Sequence, residues 1–469
     1  MTLIPDTKPP QAAPDFHTSS GIRRMVYSAV AIGSVVFLVK GISFFKDVIV
    51  AAWMGPSDQL DIYLMALVVP SYLFNVFGAT VQNAFLPTYI HQRDTLSPDA
   101  GQRLSRAILF WVLLISFLVT LLGLALAPFY LPHLAGGFAP AKLAQTLQLT
   151  YLLLFSLVIK GITQYSTSLL NAGERFVLAT LAPVATPLCI LPFLYFSIKQ
   201  PGNLMLPATA MAWGTLVGAL VEMLMLLWGL AKKHLLVSPQ AWVWNPTVRT
   251  VATEYSHVMG GVLFMSATDL VGQAIASRLE PGSVSLLNYA NKIPALIASV
   301  GVMALATAAF PQFSQMWARN NLAGIRRNLW FFSRLIFLAS VPFLLVMYVL
   351  SEPLVRLLFE RGQFDTTHTQ MVAHLQFVYL LNVPLQFTGI LFSRVLSAMN
   401  KNQVLFWLSV CSLVLNTVSS LVLSQRVGLQ GIVWATVIMY AFSFSFMLVA
   451  LIRAFKAKAR ELAHPTQPI

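Results

Sequence analysis

Long apolar runs separated by short polar breaks fill the chain from residue 26 to residue 453. Most reach or exceed the ~20 residues that a helix needs to cross ~30 Å of hydrocarbon. Apolar length and the positions of the breaks predict twelve transmembrane helices. They fall at 26–52, 59–90, 105–131, 143–171, 175–198 and 207–231, then at 248–278, 284–313, 327–351, 369–397, 404–425 and 428–453. Several are longer than a span requires, which implies tilt or extension beyond the bilayer. A membrane barrel would show short alternating strands instead of continuous runs. The predicted fold class is therefore an all-α polytopic membrane protein.

The breaks divide the chain in two. The segment 232–247, KKHLLVSPQAWVWNPT, is the longest basic and aromatic connection and separates two sets of six helices, 26–231 and 248–455. A short disordered tail, 1–25, precedes the first set, and a basic tail, 456–469, follows the second. Weak landmarks recur between the sets in the same order. Ala84-Phe85-Leu86-Pro87 matches Ala309-Phe310-Pro311, Ala127-Pro128 matches Glu352-Pro353, Gly136-Gly137-Phe138 matches Gly362-Gln363-Phe364, and Leu169-Leu170-Asn171-Ala172 matches Leu396-Ser397-Ala398-Met399, at offsets of 224 to 227 residues. An even number of helices per copy gives both copies one orientation, so a pseudo-twofold axis along the membrane normal relates them. Two parallel six-helix lobes of this kind enclose a central cavity, the ground plan of an alternating-access carrier.

Composition agrees with the pattern. Apolar residues make up 57% of the chain and charged residues 10%, with a mean hydropathy of +0.73, whereas soluble domains carry about 25% charge. The net charge of +14 raises the question of nucleic acid, and its distribution answers it. With the N-terminus inside, and residues at or next to a span end counted with the adjoining loop, eighteen of the thirty Lys and Arg residues fall in cytoplasmic segments, six in outside loops and six within spans. That is the positive-inside bias; it places both termini in the cytoplasm and removes the need for a nucleic-acid partner. Residues 1–20 lack an apolar core and read as a cytoplasmic tail, not a signal peptide. Cys189 and Cys411 lie apart in apolar runs, without metal or redox spacing.

Charges inside the spans carry the chemistry. An unpaired charge at membrane depth costs several kcal/mol, so retained ones face a cavity or a partner. Lys40, Lys46 and Asp47 lie in the first span, just before the tight turn Gly55-Pro56-Ser57-Asp58; Lys160 is in the fourth, and Asn291-Lys292 sits before Pro294 in the eighth. Lys40 and Lys46 are about 9 Å apart along a helix and can border one cavity at two depths. Asp47 is a partner for Lys46. Arg334 and Arg394, near span ends, read as snorkelling to headgroups. A cavity lined by Lys40, Lys46, Lys292 and Lys160 suits an anion, and lysine serves phosphate as a point charge. Among the acids, Asp61 is expected to cap the second helix, and Glu222 and Asp269 are candidates for ion coupling or for pairing with the lysines. No phosphate-binding loop, zinc-protease motif or clustered metal set is present. The expectation is a transporter, not an enzyme, with no cofactor or metal, driven by membrane potential, H+ or Na+.

Several stretches resemble the MurJ (MviN) lipid II flippase family, within the superfamily of multidrug and oligosaccharide-lipid exporters. They are Lys46-Asp47-Val48-Ile49-Val50-Ala51 with the Gly55 turn and Asp61, Val69-Pro70, Asn83-Ala84-Phe85-Leu86-Pro87, Ser283-Val284-Ser285 with Tyr289-Ala290-Asn291-Lys292, and Leu358-Phe359-Glu360-Arg361-Gly362-Gln363-Phe364. The resemblance runs from about residue 25 to 455. It implies a V-shaped bundle whose cationic cavity carries the diphosphate-sugar head of a polyprenyl lipid from the cytoplasmic to the periplasmic leaflet of the bacterial inner membrane. The family's first-helix pattern Ser-Arg-x-x-Gly-x-x-Arg-Asp reads Val39-Lys40-Gly41-Ile42-Ser43-Phe44-Phe45-Lys46-Asp47 here. Its eighth-helix Asp-Arg is Asn291-Lys292, and no cation follows Pro70. Bidentate phosphate geometry is thus replaced by point charges, and the two further helices usual in the family, which form a groove for the lipid tail, are not expected.

These departures place a polyprenyl-diphosphate oligosaccharide for exopolysaccharide, O-antigen or cell-wall synthesis first among the expected cargoes. Lipid II itself follows. A cation-coupled small-molecule exporter and a non-transporting scaffold of a glycan synthesis complex are the other readings. Glycosyltransferases or a polymerase of the same pathway are the expected protein partners.

Overall fold

The computed structural model describes residues 19–173, 175–199, 205–299, 301, 313, 316, 317, 319, 321–399 and 401–463. Among them, twelve helices follow the predicted spans in order: α1 (Ser19–Met54), α2 (Asp58–Leu96), α3 (Pro98–Leu134), α4 (Pro140–Ala172), α5 (Phe176–Lys199), α6 (Pro207–Ala231), α7 (Pro246–Ala276), α8 (Ser283–Ala290), α9 (Leu322–Phe359), α10 (Thr366–Ala398), α11 (Asn402–Val427) and α12 (Leu429–Ala463). Ten are long and apolar enough to cross a membrane, which makes this a multi-pass membrane protein. Helix α1 starts at Ser19 instead of 26, and α12 runs through the expected basic tail to Ala463. Most of the expected first tail, the landmark Ala309-Phe310-Pro311 and the far end of the eighth span lie outside the described residues.

The starts of the helices follow local chemistry. Ser57, Ser97, Asn245, Asn321 and Asp365 each accept a backbone N–H of the first turn, relieving donors that have no partner within the helix. Pro98, Pro140, Pro207 and Pro246 occupy first-turn positions where a missing N–H costs nothing. Interruptions follow the repeat. Helix α4 breaks at Phe155 and α10 at Leu381, 226 residues later. Helix α2 widens into a π-turn at Phe74–Gly78, one turn beyond Pro70, and into a second at Gln92–Leu96.

Packing joins the halves at one end. A single apolar core takes Val50, Tyr63, Met65, Met211 and Ala135 from the first half and Val284, Tyr289, Val355, Phe359 and Phe364 from the second. Two further cores lie towards the opposite end. One is built on Phe85, Tyr89, Leu169 and Leu226, joined by Val248 and Val251 at the start of α7; the other is built on Phe313, Leu391, Phe392 and Leu451. The shared end carries the turns at 55–58, 133–138, 277–282 and 360–364, and is called the turn end below.

Contact at the turn end is reciprocal. The Gln363 N–H donates to the Ala52 carbonyl at 3.0 Å, so the α9–α10 loop of the second half docks on the end of α1. In return the α3–α4 loop docks on the end of α7: Ser277 Oγ donates to the Leu134 carbonyl at 2.9 Å and Arg278 Nη2 to the His133 carbonyl at 3.1 Å. A Cβ at Gly362 would overlap the Ala52 carbonyl, and one at Gly137 the Ser277 carbonyl. Both residue pairs are displaced by 225 positions, from 52 to 277 and from 137 to 362. A contact of i with j repeated as j with i is the signature of twofold symmetry.

Because backbone lies on the far side of that contact, Gly137→Ala cannot be absorbed by a side-chain rotation. Overpacking of this kind costs ~1–3 kcal/mol. Labelling of a buried Ser277→Cys reporter by a membrane-impermeant thiol reagent, in a background lacking Cys189 and Cys411, is expected to rise roughly 5- to 150-fold.

Candidate functional site

Seven residues below the end of α1, about 10 Å beneath the turn, Asp47 receives one lysine from each half. Its Oδ1 lies 2.5 Å from Lys46 Nζ on the same helix, and its Oδ2 lies 2.9 Å from Lys292 Nζ, just beyond the Asn291 break in the eighth span. The break falls where Pro294 has no N–H to offer the Ala290 carbonyl, and regular bonding resumes with Ala295 N–H on the Asn291 carbonyl at 2.9 Å. Asn291 itself is exposed and closes the last turn of α8 through its N–H to Leu287. Each ammonium carries three donors and spends one on Asp47, so both keep donors for a ligand while the carboxylate holds them together. The three side chains are 14% to 27% exposed, largely screened from bulk solvent, and Lys46 opens on a cavity.

A cavity of about 390 Å³ extends from Lys46 into the first half. Its wall carries Lys160, whose Nζ is 3.5 Å from Glu222 Oε2 and 5.5 Å from the centre of the Phe74 ring. Tyr63, also on the wall, bonds Thr215 Oγ1 at 2.9 Å. Lys40 is exposed on α1. Seven residues make almost two full turns, so Lys40 lies within ~20° of Asp47 in direction and ~10 Å nearer the opposite end. Together the four lysines and two carboxylates leave two positive charges along one path.

Asp61 does something other than expected. Ser57 caps α2, accepting the Leu60 N–H, and the Asp61 carboxylate crosses to the other half. There it accepts Gly282 N–H, Ser285 N–H and Ser285 Oγ–H, all at 2.8 Å, while Lys142 Nζ lies 3.4 Å away. It is 1% exposed. A carboxylate suits the positive end of α8, and Gly282, at φ +85°, turns the chain into that helix as only glycine does without strain. Asp61 and Ser285 are 224 residues apart, the repeat spacing itself, so this pair sits on the pseudo-twofold axis. Lys142, one residue before the fourth predicted span, also holds Asp58 at 2.7 Å. Asp269 lies exposed on α7, apart from the lysines.

The arrangement offers a positive, partly screened site shared by two halves whose separation would take it apart. The model of the lipid II flippase MurJ family matches residues 50–464. The chain belongs to the MurJ family. A probable lipid II flippase MurJ from Bdellovibrio bacteriovorus is 25% identical over 437 residues, covering 90% of this chain and 82% of the relative. Among solved structures, a lipid II flippase MurJ in an inward closed conformation superposes with a TM-score of 0.76 at 18% identity, over 92% of this chain and 90% of the other. A multidrug resistance MATE transporter of the MOP superfamily in an inward-facing conformation gives 0.74 at 14% identity, over 92% and 99%. At these identities the structures establish the fold alone. MurJ proteins are transporters, not enzymes.

Within the MurJ pattern, the arginine positions of the first and eighth helices are Lys40, Lys46 and Lys292 here. The structure brings two of the three onto one carboxylate and sets the third on the same stripe of α1. What this chain keeps at those positions is charge and placement. Sequence reasoning missed Ser285, Gly282 and Lys142 as partners of Asp61, and Tyr63 and Thr215 on the cavity wall. Only the repeat spacing of Asp61 and Ser285 offered a signal for any of them.

Proposed function

We propose that this chain flips lipid II across the bacterial inner membrane for peptidoglycan synthesis, holding its diphosphate between Lys46 and Lys292, which Asp47 braces. The observation that carries the reading is the carboxylate-centred lysine pair, one lysine from each half. A diphosphate diester is a dianion, and it meets a path with two uncompensated positive charges. Lys40 attracts it from the end away from the turns; the Lys46 and Lys292 ammoniums then take the phosphate oxygens with the donors that Asp47 leaves free. Filling both halves of the site at once favours the arrangement closed at the turn end. Release requires the halves to rock apart there, which separates Lys292 from Lys46 and lowers affinity as the site opens outward.

Family membership supports lipid II over the exopolysaccharide or O-antigen precursor that the lysine substitutions first suggested. Those substitutions weaken bidentate recognition but leave the charge where a diphosphate needs it, so they do not argue for a different lipid. The test is replacement in cells depleted of their resident lipid II flippase. Expression of this chain is expected to restore growth and cell shape. Lysis despite normal membrane insertion would refute lipid II as cargo.

A further inference from the structure

The ring of Tyr289 is held by the parts that close the turn end. It packs against Phe359 and Phe364 with ring centres 5.4 Å and 5.5 Å away, and Phe359 in turn meets Phe44 of α1 at 5.8 Å. Phe364 follows Gln363, whose N–H docks on Ala52. Tyr289 is 3% exposed, and its hydroxyl has no hydrogen-bond partner among the described residues. Buried tyrosine hydroxyls ordinarily find one, and a buried polar group left without one is costly. A phenylalanine would fill the same ring site without that cost, so packing alone does not account for the hydroxyl.

Two features point to what the hydroxyl serves. Lys292 lies three residues further along the eighth span, and Asp47 is a charged group whose field reaches the Tyr289 hydroxyl. In this arrangement both Asp47 oxygens are taken, Oδ1 by Lys46 and Oδ2 by Lys292, so the phenol has nothing to bond until one ammonium moves. A diphosphate is the kind of ligand that moves it. Phosphate oxygens compete with the carboxylate for Lys292, and an ammonium drawn fully onto phosphate leaves Oδ2 a screened, unpaired acceptor. We infer that Tyr289 is a positioning residue for cargo binding, whose hydroxyl takes the place of Lys292 on Asp47 when the phosphate draws that ammonium away. No proton changes owner in the exchange: the tyrosine donates a hydrogen bond and Asp47 stays a carboxylate. The inference rests on the diphosphate reading and adds to it a group that acts through Asp47 without touching cargo.

The experiment titrates the full chain in nanodiscs with polyprenyl diphosphate. Tyr289→Phe, which keeps the ring in its cage, is expected to bind roughly 10- to 150-fold more weakly than wild type, as loss of one hydrogen bond to a charged group predicts. Without lipid, spin labels at Ala139→Cys and Glu280→Cys, in a background lacking Cys189 and Cys411, should give the same distances with Tyr289→Phe as without it, because no contact of the closed arrangement is lost. In an Asp47→Asn background, which keeps both ammoniums but leaves no carboxylate to satisfy, Tyr289→Phe should change the affinity by less than about twofold. Should that background not bind, the other two readouts decide. Three outcomes overturn the inference: wild-type affinity in Tyr289→Phe, an equal weakening in the Asp47→Asn background, which would put the hydroxyl on the cargo itself, or shifted distances without lipid, which would make it part of the closure. Wild type that does not bind polyprenyl diphosphate overturns the diphosphate reading instead.

Discussion

Lys292→Ala is expected to abolish translocation in a chain that inserts and folds normally. Lys292 is the second half's contribution to the site, 2.9 Å from Asp47 Oδ2. Without it, Asp47 is neutralised by Lys46 alone, the net positive charge of the pair disappears and only Lys40 stays uncompensated, and the ionic link between the halves at this level is cut. Truncating one member of a screened, hydrogen-bonded charge set costs ~2–5 kcal/mol, roughly 30- to several-thousand-fold. The measurement is the initial rate of lipid transfer per inserted chain in proteoliposomes. Lys46→Ala should match it within about tenfold, because the two ammoniums act on one ligand. Lys292→Arg keeps the charge and should retain most of the rate, which separates a lost cation from a lost shape. Rates for both alanine variants near wild type would remove the lysine pair from the mechanism.

Asp61→Ala is expected to shift the molecule away from the arrangement closed at the turn end. The carboxylate holds three donors of the other half at 2.8 Å, and its loss leaves Lys142 without its axial partner and the start of α8 uncapped. One hydrogen bond to a charged group contributes ~1.5–3 kcal/mol, and a lost cap ~1 kcal/mol; the terms overlap, so a shift of ~2–3 kcal/mol is expected, about 30- to 150-fold in the ratio of states. Asp61→Asn keeps one acceptor and should fall between. Spin labels at Ala139→Cys and Glu280→Cys, in a background without Cys189 and Cys411, report the separation of the two docked loops. A new long-distance population should appear in Asp61→Ala. An unchanged distribution would show that packing around Tyr289 and Phe359 closes this end without the carboxylate.

The helical membrane architecture was legible because length and apolarity alone fix a span in a solvent that cannot bond to backbone. The repeat was legible as well: its offsets of 224 to 227 residues bracket the 225-residue displacement of the reciprocal contacts of Gly137 with Ser277 and Gly362 with Ala52. Lys46, Asp47 and Lys292 were visible as costly charges, but that one carboxylate serves both lysines depends on two helices meeting, which no local pattern encodes. Asp61 was misread for a physical reason: an acid in the first turn of a helix ordinarily serves that helix, and here Ser57 already does. The pairing of Lys160 with Glu222 links residues 62 apart on helices whose adjacency only the fold reveals. The π-turn that exposes Asn75 leaves no sequence mark beyond Pro70 one turn earlier.

The most direct test of the account is lipid II transfer between leaflets in proteoliposomes holding the purified chain, with wild type, Lys46→Ala and Lys292→Ala compared at equal insertion. The account predicts transfer well above protein-free vesicles for wild type and loss of that transfer in both variants. Transfer by wild type no faster than in protein-free vesicles, or undiminished transfer in both variants, would contradict it.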